Sequence, residues 1–237
     1  ALMARPKVFC IGFHKTGTTS LYAALTGLGY RVSGTVGHHL PAQRLAKEGA
    51  QLCIDTARKF DAVEDMPWPL FFRDLDKAFP GSKFVLTSRE PESWFASIDR
   101  HFGEMDTAMH QFVYGAGNGR AREAKERWIA VMTGHNEAVR AHFAERPADL
   151  LEMDLANGDG WEKLALFLGV AALQAVFFAA MPGLEIAGLE TTFADRTARQ
   201  RLFPAKNKSS DRETFSYRFK RKFNQTFGRT PHPERLL

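Results

Sequence analysis

A short apolar run, Val8-Phe9-Cys10-Ile11, ends in a glycine-bearing loop and passes directly into a helical pattern at Thr18-Thr19-Ser20. No other stretch restricts the fold as much, because strand, tight loop and helix in immediate succession form the first unit of a parallel α/β sheet. Between them lies Gly12-Phe13-His14-Lys15-Thr16-Gly17. Gly17 lets the backbone approach an anion, and the Thr-Thr-Ser opening offers N–H groups, hydroxyls and the positive end of a helix dipole. The run reads as a phosphate cradle. Gly12 and Gly17 have the spacing of an NTPase loop, but Thr18 stands where such a loop carries its lysine. The cation is upstream, at Lys15, where an ammonium flanks the cradle instead of reaching over a triphosphate tail. A plain nucleotide triphosphatase is thereby disfavoured.

Apolar strands alternate with helical patterns along the chain, the order expected of a parallel sheet covered on both faces. Strands are predicted at Lys7 to Gly12, Tyr30 to Ser33, Asp61 to Glu64, Lys83 to Thr87 and Asp149 to Met153. Helices are predicted at Thr18 to Leu28, Pro41 to Lys59, Trp68 to Phe79, Pro91 to Phe102 and Arg120 to Ala144, with a short packing helix around Trp161 to Leu168. Gly115-Ala116-Gly117-Asn118-Gly119 marks a flexible loop before the long polar helix. The expected architecture is a three-layer α/β sandwich with a central parallel sheet of about five strands, in one domain spanning 1–237. A helical insertion at 171–201 and a basic C-terminal segment at 206–237 complete the reading.

Two cysteines, Cys10 and Cys53, supply neither a disulfide framework nor metal-ligand spacing, and a reducing cytoplasm fits them. The opening residues Ala1 to Arg5 lack the long apolar stretch of a secretory signal or anchor. Net charge is +5, concentrated late: Lys206 to Arg235 holds nine lysines or arginines against three acids. Such a tail suits a solvated helix face, an anionic nucleotide, acidic substrates, nucleic acid or an anionic membrane surface. Leu164 to Met181 runs eighteen residues without a formal charge, near the lower limit for a spanning helix. Gly169, Gln174 and Pro182-Gly183 interrupt it, which favours a packing or homodimer-contact helix and leaves peripheral membrane contact open.

A second anion site follows the fourth strand. Arg89 stands where an NTPase strand would end in a magnesium-binding aspartate. Its guanidinium offers a fork of donors to a phosphate monoester, and Ser97, eight residues on, can return to the same anion from the next helix. The competing structural role for Arg89 is an ion pair with Glu90 or Glu92; for Ser97 it is an exposed helix position.

Lys15-Thr16-Gly17-Thr18-Thr19 resembles the 5′-phosphosulfate loop, and Phe84 to Ser97 the 3′-phosphate motif, of the sulfotransferases that use 3′-phosphoadenosine 5′-phosphosulfate (PAPS), in particular bacterial members. The likeness covers Lys7 to about Leu168. It implies a P-loop fold, PAPS as donor, adenosine 3′,5′-bisphosphate as product, and no metal. It further implies donor contacts from Lys15, Thr16, Gly17, Thr18, Thr19, Ser20, Arg89 and Ser97, with Lys206 and Lys208 added from a late basic loop. Two departures stand out: Ser20 occupies the place of an adenine-stacking tryptophan in cytosolic members, and their Arg-Lys-Gly run is absent.

Asp65, in Val63-Glu64-Asp65-Met66-Pro67-Trp68, falls at the end of the third strand, where doubly wound folds open their crevice. Cytosolic family members place a histidine two residues before a proline there, and Asp65-Met66-Pro67 keeps that spacing with a carboxylate. Asp65 is therefore the candidate general base, against a plain role capping the Trp68 helix. His38 and His39 are rivals; Asp55 and Glu64 rank lower. Trp68 and Phe71 are candidates for an acceptor pocket wall and Trp94 for a place beneath the nucleotide, although large aromatics commonly belong to the core. The expected activity is sulfuryl transfer from PAPS to a hydroxyl, or an amine, of a small-molecule or glycan acceptor, without a nucleic-acid partner. The alternatives are a magnesium-dependent small-molecule kinase and a noncatalytic nucleotide-binding protein at a membrane surface.

Overall fold

The computed structural model describes residues 5–169. The insertion expected at 171–201, the basic segment at 206–237 with Lys206 and Lys208, and the part of the uncharged run beyond Gly169 lie outside the described residues.

Five strands form one parallel sheet: β1 (Val8–Cys10), β2 (Val32–Ser33), β3 (Ala62–Val63), β4 (Lys83–Thr87) and β5 (Leu150–Met153), in the spatial order β2-β3-β1-β4-β5. β1 lies at the centre, with Val8 level with Ala62 on one side and Lys83 on the other. It is almost wholly inaccessible, which is why its sequence is apolar without alternation. From β1 the chain moves outward to β2 and back to β3, and only then crosses to β4 on the opposite side. The order therefore reverses between β1 and β4, the place where open α/β sheets carry their ligands.

Seven α-helices flank the sheet among the described residues: α1 (Thr18–Gly27), α2 (Ala42–Ala57), α3 (Phe72–Ala78), α4 (Pro91–Phe102), α5 (Ala108–Tyr114), α6 (Lys125–His142) and α7 (Trp161–Phe167). Alternating side chains of the strands feed two cores, as the period of two requires. Val8, Cys10, Val85 and Met153 pack against Leu21 and Leu25 of α1 and Leu164 of α7. Phe9, Ile11, Phe84 and Leu86 pack against Cys53 of α2, Leu75 of α3 and Val139 of α6. A third cluster, built on Phe13, Trp94, Tyr114 and Trp128, joins α4, α5 and α6 to the first loop.

All five expected strands form, with β2 pairing only at Val32 and Ser33. The helix expected over Trp68 to Phe79 divides into a 3-10 turn at Trp68–Phe71, which contains Pro69, and α3. The long polar helix begins as a 3-10 turn at Ala121–Glu123 and continues as α6. α5 was not expected; Thr107 caps it, its side chain accepting from the His110 N–H. α4 starts where Glu90 accepts from the N–H groups of Glu92 and Ser93, with Pro91 in the first turn.

Candidate active site

The first loop is tied to the end of β4. A Cβ on Gly12 would stand 2.0 Å from Thr87 Oγ1 and 2.5 Å from Thr87 O, so only glycine fits there. The Thr16 hydroxyl donates to Phe13 O at 2.5 Å and lies 2.6 Å from Thr87 Oγ1, which leaves the Thr87 hydroxyl to donate to it. Gly17 adopts φ 115° immediately before α1 and accepts at its carbonyl from Ser20 N and Leu21 N. Its missing side chain leaves room for Leu155, which follows β5 and would lie 2.5 Å from a Cβ. Thr18 and Ser20 are buried at the start of α1, Thr19 is exposed and Lys15 is half-buried. Lys15 itself holds a left-handed backbone, φ 64°.

Arg89 leaves β4 toward the same loop. Its Nε donates to Ser93 Oγ at 3.0 Å and its Nη1 to Lys15 O at 3.4 Å. Glu90 is engaged in capping α4 and feels Arg89 only through its charge, Glu92 pairs with Lys125 at 2.8 Å, and among the described residues no salt bridge joins either acid to Arg89. Ser97 is buried one turn beyond Ser93 on the same face of α4. Ser93 carries the orienting contact and was not singled out in the sequence, although its place four residues after Arg89 was the available signal. Arg89 also lines a cavity of about 310 Å³ with Ser88, Met132, Thr133, Asn136 and Asp154.

Asp65 follows β3, adjacent to β1, and is the second non-glycine residue with positive φ, 71°. Its Oδ1 accepts from Met66 N at 2.9 Å and its Oδ2 from Thr35 Oγ1 at 3.4 Å. Burial raises its pKa above the ordinary aspartate value, opposed by these hydrogen bonds and by the charge of Lys15. Asp65 does not cap the following turn, which begins after Pro67. Glu64 beside it is buried, and its Oε2 has no hydrogen-bond partner. Burial and the Asp65 charge push the Glu64 carboxyl well above the carboxylate range, against a hydrogen bond from Thr18. Glu64 thus meets the first turn of α1 at Thr18, while Asp65 faces the loop through the charge of Lys15.

His38 and His39 stand exposed beyond β2, their rings edge to face at 5.6 Å, on the loop that also carries Thr35. Trp68 is fully buried, its indole N–H donating to Gly34 O at 2.8 Å, and Phe71 stacks on Phe112. Trp94 is likewise buried and donates to His14 O at 2.8 Å, directly beneath the loop. Asp55 lies on α2, hydrogen-bonded to Gln51. Cys10 and Cys53 are free and buried. Among the described residues no three His, Cys, Asp or Glu side chains are grouped to hold a metal ion, and no helix is long and apolar enough to cross a membrane.

Comparison with known proteins adds two findings. The family described as the sulfotransferase domain matches residues 7–180. The Ava biosynthesis cluster protein M of Aspergillus versicolor is 31% identical over 107 residues, covering 39% of this chain and 41% of that protein. The chain thus spans less than half the length of that curated relative. With most of the chain matched, and with the Lys15 loop and Arg89 brought together at the sheet's reversal point, this protein belongs to the sulfotransferase family.

Proposed function

We propose that the protein transfers a sulfuryl group from PAPS to a hydroxyl group of a small molecule. The observation that carries this reading is the contact between Arg89 Nη1 and Lys15 O, which unites two cationic anion sites 74 residues apart in sequence. The residues present fit a doubly phosphorylated adenosine. Gly17 presents bare backbone at the opening of α1, and the Arg89 guanidinium is oriented by Ser93.

When bound, such a donor supplies an activated sulfuryl group and a phosphate leaving group. Lys15 and the hydroxyls of Thr18 and Thr19 neutralise charge that grows on the leaving side. Arg89, with Ser97 nearby on α4, holds the 3′-phosphate, and Thr16 and Ser20 keep the loop closed around the other end. Asp65 receives the acceptor's proton; its raised pKa makes it a stronger base than an exposed aspartate while Lys15 keeps it ionisable. Glu64, held protonated by its burial and by the Asp65 charge, leaves Asp65 as the ionised carboxylate of the two. His38 and His39, exposed on the loop that carries Thr35, are assigned to the acceptor side as the rival bases. The name of the fungal relative places that protein in a biosynthesis cluster, which supports a small-molecule acceptor here.

Titration calorimetry with adenosine 3′,5′-bisphosphate and with adenosine 5′-monophosphate tests the donor. The bisphosphate should bind at least about tenfold tighter, and Arg89→Ala should erase the difference. Equal affinities in the wild type overturn the reading.

A further inference from the structure

The residue before Lys15 takes no part in the chemistry proposed above, yet it is deeply enclosed. His14 is 6% exposed. Its Nε2 lies 2.6 Å from Tyr114 Oη, and Tyr114 is fully buried. The imidazole lies nearly parallel to Trp94 of α4 at 6.3 Å and to Trp128 of α6 at 5.8 Å. His110 of α5 meets it edge-on at 6.1 Å. Three helices thus converge on one side chain.

That seat bears on the backbone of the next residue. A left-handed conformation in a non-glycine residue costs roughly 1–3 kcal/mol and persists only where the surroundings over-determine it. The φ angle of Lys15 is set by the plane of the peptide that precedes it. His14 O, in that plane, accepts from Trp94 Nε1, and the His14 ring is anchored by Tyr114. On the far side, Lys15 O accepts from Arg89 and Thr16 is bound to Phe13 O.

We propose that His14 is a positioning residue: its hydrogen bond to Tyr114 holds the peptide ahead of Lys15 so that the lysine keeps its left-handed backbone and delivers its ammonium to the donor. This rests on the role given to Lys15 above. Burial, with the nearby charges of His110 and Lys15, pushes the His14 pKa down to about 3, so the ring works as a neutral hydrogen-bond partner and not as a proton carrier.

The test compares His14→Phe, His14→Gln, Tyr114→Phe and the double variant His14→Phe/Tyr114→Phe with the wild type. Initial rates of labelled sulfuryl transfer are measured at varied PAPS, with a fixed extract of the source organism as the acceptor pool. Affinity for adenosine 3′,5′-bisphosphate is read by calorimetry. His14→Phe and Tyr114→Phe should each lower the maximal rate roughly tenfold, the worth of one buried hydrogen bond, with KM for PAPS and bisphosphate affinity within about twofold. The double variant should be no worse than either single one, and His14→Gln, whose terminal amide reaches the Nε2 position and can donate to or accept from Tyr114, should recover most of the rate. Unchanged rates, additive losses, or a glutamine variant as poor as phenylalanine overturn the proposal. Tyr114→Phe removes one oxygen and keeps the packing, so it decides the matter where a His14 variant fails to fold. A silent His14 beside an inactive Lys15→Ala defeats this inference alone; an active Lys15→Ala defeats the reading on which it rests.

Discussion

Lys15 and Asp65 leave the ends of neighbouring strands with the same unusual backbone, φ 64° and 71°, and no other non-glycine among the described residues adopts a positive φ. The charge of Lys15 acts on the Asp65 carboxyl. These are the two residues to which the proposed chemistry assigns the leaving group and the acceptor's proton. Strain of roughly 1–3 kcal/mol at each position is concentrated at the two residues that the proposed chemistry needs in the crevice.

That coincidence makes Lys15 a position where stability and activity separate. Glycine relieves the left-handed strain and alanine does not, so Lys15→Gly should be more stable than Lys15→Ala by about 1 kcal/mol in urea denaturation. Both variants should lose transfer by roughly 10²- to 10³-fold, the usual cost of removing one preorganised charge-stabilising donor. An alanine variant as stable as the glycine one would mean that the backbone at Lys15 is not strained.

Asp65→Asn keeps the volume and removes the base. Transfer should fall by roughly 10²- to 10⁴-fold while bisphosphate affinity stays the same. In the wild type, transfer should decline as pH is lowered, beginning above the ordinary aspartate value of 3.8, because burial raises the Asp65 pKa. A pH–rate profile checks the limb. If Asp65→Asn retains turnover, His38→Ala and His39→Ala become the variants to measure.

The strand-and-loop framework was legible because β1 and the middle of β4 are buried on both faces and so are apolar without alternation, which marks Val8 to Cys10 and Phe84 to Leu86. Asp65 was legible for a related reason, since strand ends open toward the crevice. The burial of its neighbour Glu64 was not legible: β3 pairs over only two residues, too few for alternation to reveal which carboxyl turns inward. Nothing in a lysine announces a positive φ, so the conformation of Lys15 was invisible although Gly17 was plain. α5 escaped because seven residues give under two turns of periodicity. The contact from Tyr114 to His14 crosses 100 residues and exists only through the packing of α5 and α6 around the loop.

Glu64 gives stability a pH dependence of definite sign. Its native pKa is raised above the ordinary 4.5, so between those two values the folded chain holds a proton that the unfolded chain has released. The stabilisation is complete below the unfolded value and is lost as pH rises through the native one. Glu64→Gln cannot ionise and should lack this decline. Urea midpoints taken from pH 4 upward, about half a unit apart, would expose the difference; parallel curves for the two proteins would mean that Glu64 titrates normally.

Gly12 offers the strictest test of the loop's seat on β4. A methyl there would meet Thr87 Oγ1 at 2.0 Å, but also Thr87 O at 2.5 Å and Thr87 N at 2.7 Å. Removing the threonine side chain clears only the first obstacle. Gly12→Ala should therefore cost about 2 kcal/mol or more, in the upper range of overpacking, and should weaken bisphosphate binding because Lys15 to Thr19 follow directly in the chain. Thr87→Ala alone should cost about 1 kcal/mol for the lost Thr16 contact. In the double variant the alanine at position 12 should remain harmful, since the β4 backbone still blocks it. Recovery of stability in that double variant would show that the Thr87 side chain sets the approach of the loop. Persistence would identify the backbone of β4 as the surface against which the phosphate-binding loop is built.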